Sequence, residues 1–436
     1  MNVILLSGGS GKRLWPLSND IRSKQFIKIF KNENGQYESM LERMYKNIKK
    51  INKESVVTVA TSSMQLSIIQ NQIGNDVGIS IEPCRRDTFP AIALATAYLH
   101  DIKNVSEEDS VVVCPVDPYV EEDYFKALEQ LSDLAKNSDA NLNLMGITPT
   151  YPSEKYGYII PEDKKNVSKV KMFKEKPKED QAREYIEQGA LWNGGIFAYK
   201  LKYVLDTAHK LIDFTDYNDL FNKYETLEKI SFDYAVVEKE PNIQVMRFNG
   251  QWKDLGTWNT LTESIEEEIL GKGIKDDTCE NTHVINELNI PILCMGLKNT
   301  VVAASPEGIL VADKHQSSYM KPYVEKISGQ IMFAEKSWGI YQVIDIQEES
   351  LTVLVKLNAK HRMKYHMHNY RDEVWTVVSG VGKVIIDGKE RDIKAGDVIE
   401  INKNSKHTII AQTDLKVIEV QLGKNINVND KEVFDL

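Results

Sequence analysis

The sequence predicts an α/β amino-terminal domain, a short β-rich connector and an all-β carboxyl-terminal domain, and three observations predict it. Residues 1 to about 150 alternate apolar strand-like runs with helix-like segments at the short intervals of βα units. From about residue 331 onward, β-rich runs follow one another at short spacing with no helical period between them. At 436 residues the chain is also too long for one ordinary core, so two or three domains are the expectation. We place the boundaries at 1–265, 266–330 and 331–436.

The first element is Val3–Leu6, an apolar run stopped at once by Ser7-Gly8-Gly9-Ser10-Gly11. It reads as a buried strand running into a glycine loop, where positive φ and close backbone approach become available. Amides exposed in succession on such a loop make a nest for anionic oxygen, and Lys12 and Arg13 follow with positive charge. Arg13 suits a polyphosphate because its fork offers several donors and stays charged. Lys24 adds a further cation. The Walker pattern is excluded because Arg13, not serine or threonine, follows Gly11-Lys12, and the dinucleotide fingerprint because Leu14 stands where its third glycine falls.

Val56–Ala60 and Val77–Ile81 read as strands, the second leading into Glu82-Pro83. Phe89–Leu99 is an Ala-rich helix with proline near its start. Val111–Pro115 is fully apolar, as expected in the middle of a parallel sheet. It delivers Asp117 past its carboxyl end, the edge at which open α/β sheets bind ligands. Asp117 suits a hard cation such as Mg²⁺, although an aspartate there also serves as a turn or helix cap. A second carboxylate, Asp254, lies beside Gly256 and between Trp252 and Trp258, which suggests a shielded corner.

Between the two aspartates, Tyr156-Gly157-Tyr158-Ile159, Phe173-Lys174-Glu175-Lys176-Pro177 and Trp192–Phe197 each join aromatic residues to one or two polar groups and a glycine or proline. That is the texture of a sugar site. Glu175 can accept from sugar hydroxyls and Lys176 can hold a phosphate; as a bare sequence, the same pair also reads as a surface charge run.

Composition narrows the partners. The net charge of −10 excludes a general nucleic-acid binder. Cys84, Cys114, Cys279 and Cys294 show no paired spacing and are expected to be reduced. No apolar stretch approaches membrane-spanning length, and the chain opens directly on a strand, so the expectation is a cytoplasmic protein with neither membrane nor nucleic-acid partner.

Leu6–Leu17, Arg22–Phe26, Glu82–Pro90, Pro115–Pro118, Gly146–Ile159, Phe173–Pro177, Asn193–Phe197, Ser231–Lys239 and Trp252–Trp258 together resemble the ordered motif set of bacterial mannose-1-phosphate guanylyltransferases. The resemblance covers residues 1 to about 265. It implies a Rossmann-like nucleotidyltransferase domain with a mixed, mainly parallel sheet. It also implies transfer of a nucleoside monophosphate from an NTP, GTP foremost, to a hexose 1-phosphate, mannose 1-phosphate foremost. The nucleotide contacts it implies are Leu6, Gly8, Gly9, Gly11, Lys12, Arg13, Glu82, Pro83, Arg86, Thr88 and Asp117, and the sugar contacts Gly157, Glu175, Lys176, Asn193 and Asp233. Arg13, Lys24 and Lys176 would be catalytic, with Mg²⁺ on Asp117 and Asp254. Three departures stand out: Lys12 where threonine is commoner, Cys84-Arg85-Arg86-Asp87 for the usual Gly-Arg-Asn, and Pro118 for a usual histidine.

Residues 266–330 carry two short strands, Asn299–Ala304 and Gly308–Asp313, around a Ser-Pro-Glu-Gly turn. In the resembled family a small β-helix-like connector stands here, with a role in packing or assembly, and a homodimer is the expected state.

In the last domain, His366-Met367-His368 places two imidazoles on one face of a strand, because side chains alternate with period two. Glu373, Gly380, Gly396 and His407 follow, a pattern similar to the cupin jelly roll. His366, His368, Glu373 and His407 make a four-ligand set for a divalent metal, Zn, Mn, Fe, Ni or Co. The segment from Trp338 to Gly380 resembles the carboxyl-terminal phosphomannose isomerase half of bifunctional enzymes, with His366 in place of a glutamine and Val374 in place of a histidine. Three roles stay open for it: an isomerase, a sensing module or a dimerising module.

Overall fold

The structure, a computed structural model, describes residues 1–9, 12–327, 331–424, 426 and 430–435. Gly11, expected to contact nucleotide, lies outside the described residues. The chain forms two compact units. The first comprises Met1–Gly9, Phe30–Leu66 and Ile73–Leu255; the second comprises Ser10–Ile29, Ser67–Gln72 and Gly256–Leu436. The segment that follows the glycine loop therefore groups with the carboxyl-terminal half of the chain.

The first unit is built on a nine-stranded sheet. Its strands are β1 (Asn2–Leu6), β2 (Val56–Ser62), β3 (Gly78–Glu82), β4 (Ser110–Pro115), β5 (Leu142–Ile147), β6 (Gly157–Pro161), β7 (Val167–Lys174), β8 (Leu191–Lys200) and β9 (Ile243–Phe248). They lie in the order β3-β2-β1-β4-β8-β5-β9-β7-β6. Seven of the nine run the same way; β7 and β8 run against them. Parallel pairing is continuous only from β3 to β4, so β4 stands at the junction of the two halves and not inside an all-parallel sheet. The junction is made by β8, which lies antiparallel between β4 and β5, while the few residues between β6 and β7 form a hairpin, which can only be antiparallel.

Helix Thr88–Asp101 is apolar on nearly every side, from Phe89 to Leu99, and is correspondingly buried. It packs with β1, β4 and β8 in a core that includes Ile4, Leu94, Val113 and Phe197. Helix Met40–Ile51 starts on a capping box: Ser39 Oγ accepts from Glu42 N at 3.1 Å, and Glu42 Oε2 accepts from Ser39 N at 2.8 Å.

In the second unit, Ile269–Gly271, His283–Asn286 and Thr300–Ser305 pair in parallel as successive coils, and Gly308–Asp313 closes the last coil as a hairpin. Beyond them, six- and five-stranded antiparallel sheets enclose a core of Val353, Val355, Trp375, Ile409 and Val417. The strand expected at His366-Met367-His368 is present as Tyr365–Met367 and ends before His368, and Lys389–Lys394 forms a strand although it carries weak apolar signal. Among the described residues, no helix is long and apolar enough to cross a membrane.

Leu94→Ala, at a fully buried position in the first unit, is expected to cost about 2–5 kcal/mol, read as a lower urea midpoint.

Candidate active site and candidate metal centre

In the first unit, β1, β3 and β4 are co-directional, so Gly8, Glu82 and Asp117 reach one carboxyl edge. Gly8 and Gly9 do not take positive φ, contrary to the expectation for this loop. The chain leaves β1 in an ordinary conformation, and Gly8 contributes room instead. A Cβ there would lie 3.4 Å from Glu82 Oε1. Glu82 is buried and accepts from the Tyr224 hydroxyl at 2.8 Å. Burial raises its pKa, with the Tyr224 hydrogen bond and Arg85 pulling the other way. The expected nucleotide residues after it are partly structural. Thr88 Oγ1 accepts from Phe232 N at 2.8 Å, Asp87 caps the helix at φ 69°, and Arg86 donates to the Glu225 carbonyl.

Asp117 and Asp254 are brought together by a short antiparallel ribbon. Trp252–Asp254 pairs with Pro118–Val120 in the register Trp252↔Val120, Lys253↔Tyr119, Asp254↔Pro118. Asp254 therefore faces the residue next to Asp117. Tyr156 lies in the field of both: burial, then Asp254 and Tyr151, then Asp117 push its phenol far above the ordinary range. Its ring is 5.6 Å from Trp252 and 4.9 Å from Trp192, making an aromatic wall beside the carboxylates.

The next residue, Gly157, opens a second cluster. It pairs with Asn193 across β6 and β8. Phe197 faces Val113 on β4, and after a shift of register Asn193 faces Gly146 on β5. A Cβ on Gly157 would clash with Glu175 Oε2, 2.4 Å away. Only glycine fits. Glu175 is 8% exposed, ion-paired to Lys176, and its Oε2 is buried without a hydrogen-bond partner. An orphaned acceptor beside a glycine is suited to a hydroxyl donor. Asn193 Nδ2 donates to Asp233 Oδ1 at 2.6 Å, and Asn193 Oδ1 accepts from Gly195 N at 3.0 Å. Burial, then the Glu175 charge, pushes Asp233 up to about 6. Lys176 sits at φ 44°, so its backbone is held in the left-handed region. Gly157, Glu175, Lys176, Asn193 and Asp233 thus form one cluster, and Leu6, Pro83, Arg86 and Thr88 flank the Gly8–Glu82 corner.

Lys12, Arg13 and Lys24 belong to the second unit. Lys12 and Arg13 open a 3-10 turn, Lys12–Leu14, and Lys12 lies 3.9 Å from Asp20. Arg13 is exposed.

The jelly roll brings the three predicted histidines into one group and sets Glu373 against two of them. His366 pairs directly with His407, and one ligand atom from each of His366, His368 and His407 lies within 4.8 Å of the other two. Each Nδ1 faces a backbone carbonyl, that of Lys364 at 2.7 Å, Asp430, and Ser405 at 2.9 Å. Those contacts fix the Nδ1–H tautomer and make Nε2 the ligand atom of each ring. Glu373, from the opposite sheet, lies 3.2 Å from His368 Nε2 and 3.4 Å from His407 Nε2. Burial lowers His368 to about 4, so the ring is neutral as a ligand must be. His407 Nε2 is buried without a hydrogen-bond partner, an atom that a cation would satisfy.

Two neighbours carry no signal in the one-dimensional pattern. Arg371 donates to Glu373 at 2.9 Å and to His368 Nε2 at 2.9 Å, taking a lone pair that a metal would need. Glu419, buried and facing the Glu373 charge, is raised to about 8. Only the fold reveals either role, since both residues read as ordinary polar positions of strands or turns.

Residues 2–269 match the nucleotidyl transferase family, and residues 328–435 match the mannose-6-phosphate isomerase carboxyl-terminal family. A mannose-1-phosphate guanylyltransferase of Salmonella typhimurium is 26% identical over 472 residues, covering 98% of this chain and 95% of the relative. An alginate biosynthesis protein of Pseudomonas aeruginosa is 27% identical over 476 residues, covering 99% and 96%. A crystal structure described as mannose-1-phosphate geranyltransferase from Thermus thermophilus superposes with a TM-score of 0.62 at 25% identity, covering 75% of this chain and 99% of that one. The family match spans more than half of the chain and the whole of the carboxylate and glycine clusters above: this protein belongs to the nucleotidyl transferase family.

Proposed function

We propose that the chain transfers GMP from GTP to mannose 1-phosphate, giving GDP-mannose and pyrophosphate. The observation that carries this reading is the register that sets Asp254 opposite Pro118, beside Asp117. It supplies two carboxylates next to a cluster with an orphaned acceptor at Glu175. The names of the full-length relatives support the choice of mannose and guanine.

A phosphate oxygen of the sugar 1-phosphate attacks the α-phosphorus in line. A P–O bond forms, the bond to the β-phosphate oxygen breaks, and pyrophosphate leaves. The nucleophile is already anionic, so no covalent protein intermediate is needed, and catalysis is positioning plus charge neutralisation. Arg13 and Lys24 neutralise the β- and γ-phosphates, while the Gly8 and Gly9 backbone gives the chain close approach to them. Glu82, Pro83, Arg86 and Thr88 border the nucleoside. Lys176 anchors the incoming phosphate, and Glu175, Asn193 and Asp233 hold sugar hydroxyls in the space that Gly157 leaves. Asp117 and Asp254 would hold Mg²⁺, which when bound supplies Lewis-acid neutralisation of phosphate oxygens; paired hard carboxylates fit that ion.

For the jelly roll we propose a divalent metal on His366, His368, His407 and Glu373, which requires Arg371 to swing off His368. The family match of residues 328–435 supports a second activity, interconversion of mannose and fructose 6-phosphates. Residues 266–330 are read as the connector, and a cytoplasmic homodimer as the working state.

Asp117→Asn and Asp254→Asn are each expected to lower kcat at least about 100-fold with an unshifted Tm; an unchanged kcat in either would sink the Mg²⁺ assignment. Asp233 carries a pH signature. Its folded-state pKa lies above that of an unfolded aspartate, so its ionisation costs stability as pH rises through about 6. Asp233→Asn should therefore gain Tm relative to the parent at pH 8 and show little gain at pH 4. Metal analysis of the purified full chain should find about one divalent ion per jelly roll and its loss in His407→Ala; a chain that takes up no Mn²⁺, Zn²⁺, Fe²⁺, Ni²⁺ or Co²⁺ in titration overturns the centre.

A further inference from the structure

The segment that carries Lys12, Arg13 and Lys24 is fastened by side chains from far along the chain, all within the second unit. Trp15 and Pro16 are held first. The Trp15 carbonyl accepts from Trp258 Nε1 at 3.2 Å, the Pro16 carbonyl from Ser305 Oγ at 2.6 Å, and the Trp15 ring packs where a Cβ on Gly308 would stand, 2.5 Å away. Asn19 is the second point. Its Oδ1 accepts from Ile21 N and Arg22 N, closing the turn, while Nδ2 donates to Glu307 Oε1 and to the Phe333 carbonyl, both at 2.8 Å. Glu307 Oε1 also accepts from Met332 N and Phe333 N at 3.0 Å. Arg22 is the third: 6% exposed, it makes a two-pronged pair with Glu287 at 2.8 Å and lies 5.1 Å from the Phe333 ring centre. One turn is thus tied both to the connector, through Glu287 and Glu307, and to the first jelly-roll strand, through Phe333.

We propose that Asn19, Arg22, Glu287 and Glu307 are positioning residues for the nucleotide: they hold the basic segment in its phosphate-binding conformation, so the carboxyl-terminal half of the chain sets affinity for the triphosphate. A loop ordered before binding does not lose that freedom on binding, and the gain falls on the ligand it contacts. None of the four needs to touch substrate. The inference rests on the reading above that Arg13 and Lys24 engage the triphosphate.

The test is steady-state kinetics on the full chain, varying GTP and mannose 1-phosphate separately. Glu307→Ala and Arg22→Met should raise KM for GTP roughly tenfold, with kcat and KM for the sugar phosphate within about twofold. Glu307→Gln keeps the accepting oxygen and should return KM for GTP to near the parent value. An unchanged KM for GTP in both disruptive variants overturns the inference. So does a loss of kcat that only tracks a loss of folded protein by circular dichroism, since that is a merely structural role. Arg13→Gln and Lys24→Gln are measured alongside. If they raise KM for GTP while the clamp variants do not, the clamp alone fails; if they leave it unchanged, the phosphate reading fails and takes the clamp with it.

Discussion

The catalytic half depends on one short antiparallel ribbon, Trp252–Asp254 against Pro118–Val120. Asp117 and Asp254 stand far apart along the chain, and backbone pairing brings them to neighbouring places. Opposite residues of an antiparallel pair are fixed to within about 5.5 Å by the ladder, and Asp254 stands opposite Pro118, the residue after Asp117. The aromatic wall of Tyr156, Trp192 and Trp252 then shields that corner on the side of the glycine cluster.

The glycine cluster around Gly157 follows the same logic with different means. Here a missing side chain is the constraint: Gly157 lets the Glu175 carboxylate come closer than any Cβ would permit, and Asn193 opposite it orients Asp233. Burial and the Glu175 charge raise the cost of ionising Asp233, and Lys176 offsets part of it. A substrate with several hydroxyl donors and one dianionic phosphate answers both the surplus acceptors and the exposed lysine.

The jelly roll sets an opposing pair of demands on one imidazole. Backbone carbonyls orient all three histidines for metal binding, yet Arg371 holds His368 Nε2. Arginine there also neutralises Glu373, which lies buried against His368 and His407 and near Glu419. An uncompensated buried carboxylate costs several kcal/mol, so the cation and a metal ion are alternative ways of balancing the same charge.

Much of this was legible in the sequence because it is local. The Val3–Leu6 strand and its glycine stop, the apolar run ending at Asp117, and the His-x-His pair with a following glutamate are read from neighbours alone. The resemblance added order to those segments. Sheet direction after residue 150 was not legible, because hairpin or crossover is decided by which strands meet. Nor was the conformation of Gly8 and Gly9: composition shows that positive φ is permitted, and only packing shows that space beside Glu82 is what is used. Asn19, Arg22 and Glu419 look like ordinary polar residues along the chain, and their roles are set by partners hundreds of positions away or on a neighbouring strand. Short-range sterics and hydrophobic period thus determined the elements and their ends. Long-range pairing and burial, which no one-dimensional pattern encodes, decided which charges share a low-dielectric corner.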